Sequence, residues 1–441
     1  DPGAALEVLE RYAPTPEARA ARAPTPRERG WMEAVDVLYA PGEKEARDTA
    51  YARAMERLVE AYPRDYEARA FHALALLGLS QGDRHVPTYM RAGAEALELL
   101  RLNPTHPGAA HYVIHSFDDP THAPLGLRAA RAYSGIAPEA AHAQHMTSHI
   151  FLALGMWEEV VEANERAAGV VNRSLDGRGL PPYSCGHYNE WLLYGYQQKG
   201  RHGAASRLLR ACHEDSRDPA LPEARRSGAA RSFAFMRALH LADTRAVEGF
   251  PAAAPVDTAS LPEASRTILD FGTGFAAVHR GDVAQARRSL AALADRGADD
   301  VGYVAAYAPV WEGTLRSLVL AREGQLEEAI AGARTAADYE AELPVDFGPP
   351  IAAKPPRELQ GELLLEAGRA EEAMAAFGLA LGRTPRRALT LAGYARAADA
   401  SGRGAVAADA WRTLTEILAS ADPGLPVLAE ARAFLEREGT R

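Results

Sequence analysis

At 441 residues, 47% hydrophobic and 24% charged, the chain is too apolar for a disordered protein and long for a single globular core. A formal charge of −10 without a long basic run argues against nucleic acid or an anionic membrane as partner. No apolar stretch approaches the roughly 18 residues that membrane insertion needs, and two cysteines, Cys185 and Cys212, exclude a Cys-rich zinc or iron–sulfur site while allowing one disulfide. Ala, Leu, Glu and Arg outweigh Val and Ile, which favours helices over sheets. The chain starts at Asp1 rather than Met, as expected where a signal peptide has been removed or the chain truncated; exported, periplasmic and cytoplasmic locations all fit.

Residues 1–30, rich in Pro and Arg, read as an extended lead-in. Beyond them helices alternate with Pro stops: DYEARAFHALALLGL (65–79) lies between Pro63 and Pro104. The stretch from His106 to His149 then holds His106, His111, His115, His122, His142, His145 and His149, half of the chain's 14 histidines. His111 and His115 are four apart, as are His145 and His149, so each pair shares one helix face. The second pair follows the first by 34 residues, the period of a helix-turn-helix repeat. Two equivalent helices presenting two histidine pairs are expected.

Further along, Pro-, Gly- or Asp-rich connections at 171–183, 244–266, 296–308 and 339–357 read as loops longer than a plain repeat requires, and VDFGPPIAAKPPREL (345–359) is the most distinctive of them. FGTGFAAV (271–278) lacks the third glycine and the preceding strand of a nucleotide loop. There is no P-loop and no G-x-S-x-G elbow, and Ser148 beside His149 is not a triad arrangement. Near the C-terminus Gly361, Gly368, Ala373, Phe377, Ala380 and Pro385 recur in part 34 residues on as Gly402, Ala407 and Trp411. Small residues allow close helix packing, Gly368 turns the chain, Phe377 fills the gap between units and Pro385 ends a helix.

This small–turn–small–aromatic–small–Pro order resembles the tetratricopeptide repeat (TPR). The resemblance carries backwards through Gly324, Gly281, Gly200 and Gly155, and implies an all-α fold. That fold is a solenoid of eight or nine helical hairpins, a right-handed superhelix over residues 31–438 with several long inter-helix loops. HPGAAHYVIHSFDDP, HAQHMTSHIF and KPPREL together are similar to a group of bacterial TPR proteins, a resemblance that implies a fold and a motif but no substrate.

In TPR arrays the second, fifth and ninth residues of each first helix face the concave groove. By that register His111 and His115 take the fifth and ninth places of one unit, and His145 and His149 those of the next. His142 and His187 take second places, Glu190 and Tyr194 follow His187, and His106 joins the rim. Facing helices about 8–10 Å apart bring imidazoles within reach of one ion. The expected site, spanning 106–194, is therefore a transition-metal site for copper, zinc or iron, with His111, His115, His142, His145, His149 and His187 as ligands. His106, Asp118, Glu190 and Tyr194 are candidates for orienting the ligands, for acid–base work or for substrate. Glu358 and Glu362, also at fifth and ninth places, are further candidates, against the alternative of an exposed acidic helix start favoured by the helix dipole.

Two functions follow. The first is a metal-binding solenoid acting as a metalloenzyme, with redox or oxygen chemistry favoured over hydrolysis and a small molecule or peptide in the groove. The second is a TPR adaptor that holds a peptide or partner protein without catalysis. Histidines binding an acidic or aromatic ligand without metal, or forming a structural polar network, are the plainer alternatives.

Overall fold

The computed structural model describes residues 2–80, 84–258, 261–297, 303–344 and 347–439, and among them every regular element is helical. The chain falls into two compact units that divide after Pro138. The first contains α1 (Pro2–Tyr12), α2 (Pro16–Arg22), α3 (Pro26–Leu38), α4 (Lys44–Ala61), α5 (Tyr66–Gly78), α6 (Val86–Leu102), α7 (Pro107–Phe117) and α8 (Ala123–Ile136). The second opens with α9 (Ala141–Ala153), α10 (Trp157–Asp176), α11 (His187–Gln198), α12 (His202–Arg217), α13 (Glu223–Thr244), α14 (Glu263–Arg280) and α15 (Val283–Gly297). It continues with α16 (Tyr303–Arg322), α17 (Leu326–Glu342), α18 (Pro356–Glu366), α19 (Ala370–Arg383), α20 (Ala388–Ala400), α21 (Gly404–Ile417) and α22 (Pro426–Gly439). Within each unit successive helices pack on one another, from α2 to α8 in the first and from α9 to α22 in the second, giving all-α, TPR-like helical-hairpin arrays. Among the described residues no helix is long and apolar enough to cross a membrane.

The expected extended lead-in is instead helical, because its prolines start helices. Pro16 and Pro26 occupy first-turn positions behind Thr15 and Thr25, whose hydroxyls accept from the Ala18 and Glu28 N–H groups at 3.2 Å each. The Glu28 carboxylate accepts the Thr25 N–H in return at 3.0 Å, completing a capping box. Thr25→Ala is expected to lower the first unit's stability by about 1 kcal/mol in urea unfolding. A loss indistinguishable from zero would show that α3 does not depend on its cap.

Other expected loops are shorter than the sequence suggested. The α10 helix runs on to Asp176, and α13 and α14 leave only 245–262 between them. The α17–α18 connection spans 343–355, of which residues 345 and 346 lie outside the described set, as do 298–302 of the α15–α16 connection. FGTGFAAV lies inside α14, largely buried.

The repeat signature is visible as packing. A Cβ at Gly361 would lie 2.8 Å from the Phe377 ring, and one at Gly393 only 2.3 Å from it. Phe377 is fully buried, so glycine on both sides is what lets α18, α19 and α20 close around it. Gly368, with φ +72°, makes the left-handed turn between α18 and α19.

Within the second unit, hairpins far apart in sequence also touch, whereas plain repeat arrays contact only neighbours. Trp157 donates its indole N–H to the Arg386 carbonyl at 2.8 Å, and the Ala388 N–H donates to the Gln198 side chain at 2.9 Å. Asp422 closes the other edge, donating its N–H to the Gly200 carbonyl at 3.0 Å and accepting from the Gly203 N–H at 2.6 Å.

A buried charge network holds this closure. Arg387, fully enclosed, donates to Glu358 at 2.9 Å, to Tyr194 Oη at 3.2 Å, and to Asp243. Lys354 donates to Glu358 at 2.7 Å and Glu362 at 2.8 Å, and Arg245 reaches Glu362 at 3.2 Å. Burial alone would raise the Glu358 carboxyl, but Arg387 and Lys354 outweigh it and hold it well below the usual carboxylate range. Three cations thus meet three carboxylates.

Candidate metal centre

The α9 helix is buried on all sides from Ala143 to Ala153, so His145 and His149, one turn apart, lie in protein interior. Packed beside it, α10 supplies Asn164, which is also fully buried. The Asn164 Nδ2 group donates to the Val160 carbonyl at 2.8 Å, which turns its Oδ1 toward His145 Nδ1 at 2.7 Å. That acceptor places the proton of His145 on Nδ1 and leaves a lone pair on Nε2. The Nε2 atom of His149 lies 3.2 Å from it.

The third imidazole comes from the first residue of α11. A disulfide between Cys185 and Cys212 ties the approach to α11 onto α12. Gly186, at φ +84°, turns the chain and donates its N–H to the Ser232 hydroxyl at 2.9 Å, while Asn189 bonds the Cys185 carbonyl at 2.8 Å. His187 thereby sits with its ring centroid 4.5 Å from that of His145. One nitrogen each of His145, His149 and His187 lie within 4.8 Å of one another. Ligands at 2.0–2.1 Å from a tetrahedral ion stand roughly 3.3–3.4 Å apart; the His145–His149 edge, at 3.2 Å, is close to that length, and the edges to His187 are no longer than 4.8 Å.

Aromatic rings wall the cluster. Trp191 stacks on His149 at 4.5 Å and meets His145 edge-on at 4.8 Å. Tyr188 lies 4.9 Å from His145, and Phe347 lies 5.5 Å from His149. Gly348 (φ +143°) passes so close to Trp191 that a Cβ there would meet the indole at 3.0 Å. Burial, followed by the neighbouring His149 and His187, lowers the pKa of His145 well below the ordinary histidine value, although Asn164 pulls the other way. His187 presents one edge to solvent, yet partial desolvation, then His149 and His142, push it down to about 4. Both rings are therefore neutral at pH 7, the state in which imidazole binds metal.

The other sequence candidates are distributed differently. His142, exposed in the first turn of α9, has its ring 6.4 Å from that of His145. In the first unit, His111 and His115 form a ring pair 4.8 Å apart on α7, with His111 stacked between Tyr112 and Tyr133. His115 Nδ1 lies 3.6 Å from Asp118, whose carboxylate also pairs with Arg84 at 2.7 Å. His106 is a helix cap: its Nδ1 accepts from the Ala109 N–H at 3.2 Å, because Pro107 starts α7 behind it. His122 pairs with Asp119 at 2.8 Å.

Glu190 bonds Ser232, the hydroxyl that also receives Gly186, so it braces the turn carrying His187; burial raises its pKa, opposed by Ser232 and Arg231. Tyr194, Glu358 and Glu362 belong to the Arg387–Lys354 network, and Glu358 is fully buried rather than an exposed helix start. Asn164, the tautomer-setting partner, escaped the sequence reading. Its one signal was a polar residue in the otherwise apolar row of Val160, Val161 and Ala167.

A neighbouring histidine links the second unit to pH. His240 on α13 is buried, and burial followed by His202 pushes it to about 4 from an ordinary 6.5. The unfolded chain takes up a proton below about 6.5, whereas the folded chain does not until about 4. Stability is therefore lost as pH falls through that window. Urea unfolding between pH 7 and pH 4 should show the decline, and His240→Gln should make it shallower; identical slopes would remove His240 as a contributor.

No protein-family model matches the sequence, and no curated protein matches it. Solved structures resemble it at low identity. Human IFIT1, in a dimer with m7Gppp-AAAA, is 13% identical over 94% of this chain and 84% of its own, at TM-score 0.36. Yeast Tom70 is 11% identical over 89% and 93%, at 0.33. The APC/C hetero-tetramer Cut9–Hcn1 is 11% identical over 95% and 84%, also at 0.33. The fold assignment rests on this chain's own hairpins and on the Gly361–Phe377–Gly393 wedge: it is an all-α protein of TPR-like repeats carrying a histidine triad able to hold a metal ion.

Proposed function

We propose that the protein is a transition-metal-binding helical-repeat protein whose copper, zinc or iron ion is held by His145, His149 and His187. The observation that carries this reading is the orientation of His145: Asn164 Oδ1 accepts its Nδ1–H, the bare Nε2 faces His149, and His187 brings a third ring nitrogen within 4.8 Å. His142, its ring 6.4 Å from that of His145, is the next imidazole available as a fourth donor, and His111 and His115 form a further imidazole pair on α7.

An ion with three imidazole ligands and an open position supplies Lewis acidity toward water or a place to bind dioxygen. The chain's own residues do the rest. Asn164 holds the tautomer, Trp191 and Phe347 pack against the His149 ring, and the Cys185–Cys212 bond anchors the turn carrying His187. The carboxylate one turn along α11, Glu190, is engaged with Ser232, which favours redox or oxygen chemistry over base-assisted hydrolysis at this centre.

Elemental analysis of protein purified without a His-tag tests the proposal. One tightly held transition ion per chain is the expected result. No ion, even after soaking with zinc, copper and iron salts, would overturn it and leave a peptide-binding adaptor as the reading to pursue.

A further inference from the structure

The second unit contains a cavity of about 410 Å³ at the other end of α11 from the histidines. That volume falls in the range of small-molecule pockets, about 300–1,000 Å³. Much of its wall is aliphatic: Leu365 comes from α18, Leu389 from α20, and Leu414 and Leu418 from the end of α21. Covering such a wall with an apolar ligand removes it from water, which favours binding.

The charged groups bordering the cavity differ in what they still offer. The Asp243 side chain is 3% exposed and held by Arg387 and Gln198, so it is closed to a ligand. Glu362 is doubly paired, with Lys354 at 2.8 Å and Arg245 at 3.2 Å. Burial lowers the pKa of His202 from its ordinary value, so that ring is neutral at pH 7. Arg245 and Arg396 are the reachable groups, with 54% and 46% of their side chains exposed.

Both arginines also keep donors to spare. Arg245 meets Glu362 through Nη2, and Arg396 gives Nε and Nη2 to Glu430. A guanidinium carries five N–H groups in a fixed fork, so each can receive a further acceptor without giving up its present partner. The surroundings of Arg245 are electropositive as well: His279 is pushed down to about 4, first by burial and then by Arg245, Lys354 and Arg322.

We infer that this cavity is a second binding site, for a small amphipathic monocarboxylate whose head is received by the spare N–H groups of Arg245 and Arg396 and whose aliphatic tail lies against the leucines. A neutral head forgoes the charge-assisted bonds, and a cationic head meets two guanidiniums. The site is independent of the metal proposal, since none of its lining residues is an imidazole of the triad.

The test uses the full chain, calorimetry and four probes: butyrate, octanoate, octanamide and octylammonium. Octanoate should bind saturably, and at least about tenfold tighter than butyrate, because its four extra methylenes are buried against the leucines. Octanamide should bind about tenfold more weakly than octanoate, and octylammonium more weakly still. Arg245→Gln/Arg396→Gln should bring octanoate down to the octanamide level while leaving octanamide binding unchanged. Leu389→Trp should fill the cavity and abolish binding of all four, with helicity by circular dichroism confirming that the variant folds. If it does not fold, the double arginine variant decides alone. Octanamide, octylammonium or butyrate binding as tightly as octanoate, a double variant that still prefers octanoate, or no saturable binding of octanoate would each overturn the inference.

Discussion

Arg387→Met is expected to destabilise the second unit by about 3–5 kcal/mol, the cost of removing one partner from a fully buried ion cluster. The residue is completely enclosed and serves Glu358, Asp243 and Tyr194 together, joining the start of α20 to α18, α13 and α11. Methionine fills much of the volume but leaves Asp243 buried beside Gln198 alone and Glu358 dependent on Lys354 and Thr390. Arg412→Met is the control: Arg412 and its partner Asp409 are both exposed, and such a pair contributes at most about 1 kcal/mol. Urea unfolding followed by tryptophan fluorescence measures both. Adding Asp243→Leu to Arg387→Met should recover part of the loss, because a matched apolar pair replaces an orphaned charge. A loss for Arg387→Met no larger than the control's would mean that the closure of the second unit does not rest on this network.

The other large effect concerns the imidazoles. His145→Ala or His149→Ala is expected to weaken metal binding by on the order of a hundredfold or more, beyond the 10–100-fold typical of losing a residue that only orients a ligand. Asn164→Leu belongs to that second class. It keeps the volume, removes the acceptor for His145 Nδ1–H and frees the ring to adopt the wrong tautomer. The expected order of affinity is native, then Asn164→Leu, then the His145 and His149 variants, read by competition against a chromogenic chelator. His111→Ala/His115→Ala measures what the α7 pair adds. If that double variant abolishes binding while His145→Ala does not, the centre lies in the first unit and the triad reading is wrong.

The hairpin array was legible in the sequence because its signals are local. Gly361, Gly368 and Phe377 declare a small contact, a turn and a wedge within 17 residues, and the structure uses each for that purpose. The lead-in differs from the extended segment its prolines suggest because proline stops a helix in its interior but starts one in the first turn, and Thr15 and Thr25 cap helices that begin at Pro16 and Pro26.

At the candidate centre, spacing alone placed His145 and His149 on one helical face, since four residues make about one turn. The sequence by itself therefore determined helix type, hairpin period and which histidines share a face, all of which depend on chain-local geometry. Only the tertiary structure decided which helices face one another. It brought His187 to the pair, supplied Asn164 from α10, and tied Tyr194, Glu358 and Glu362 into a charge cluster through Lys354 and Arg387. Such pairings, between residues as much as 193 apart in the chain, are selected by burial and charge matching across packed helices. No periodicity along one strand of sequence encodes them.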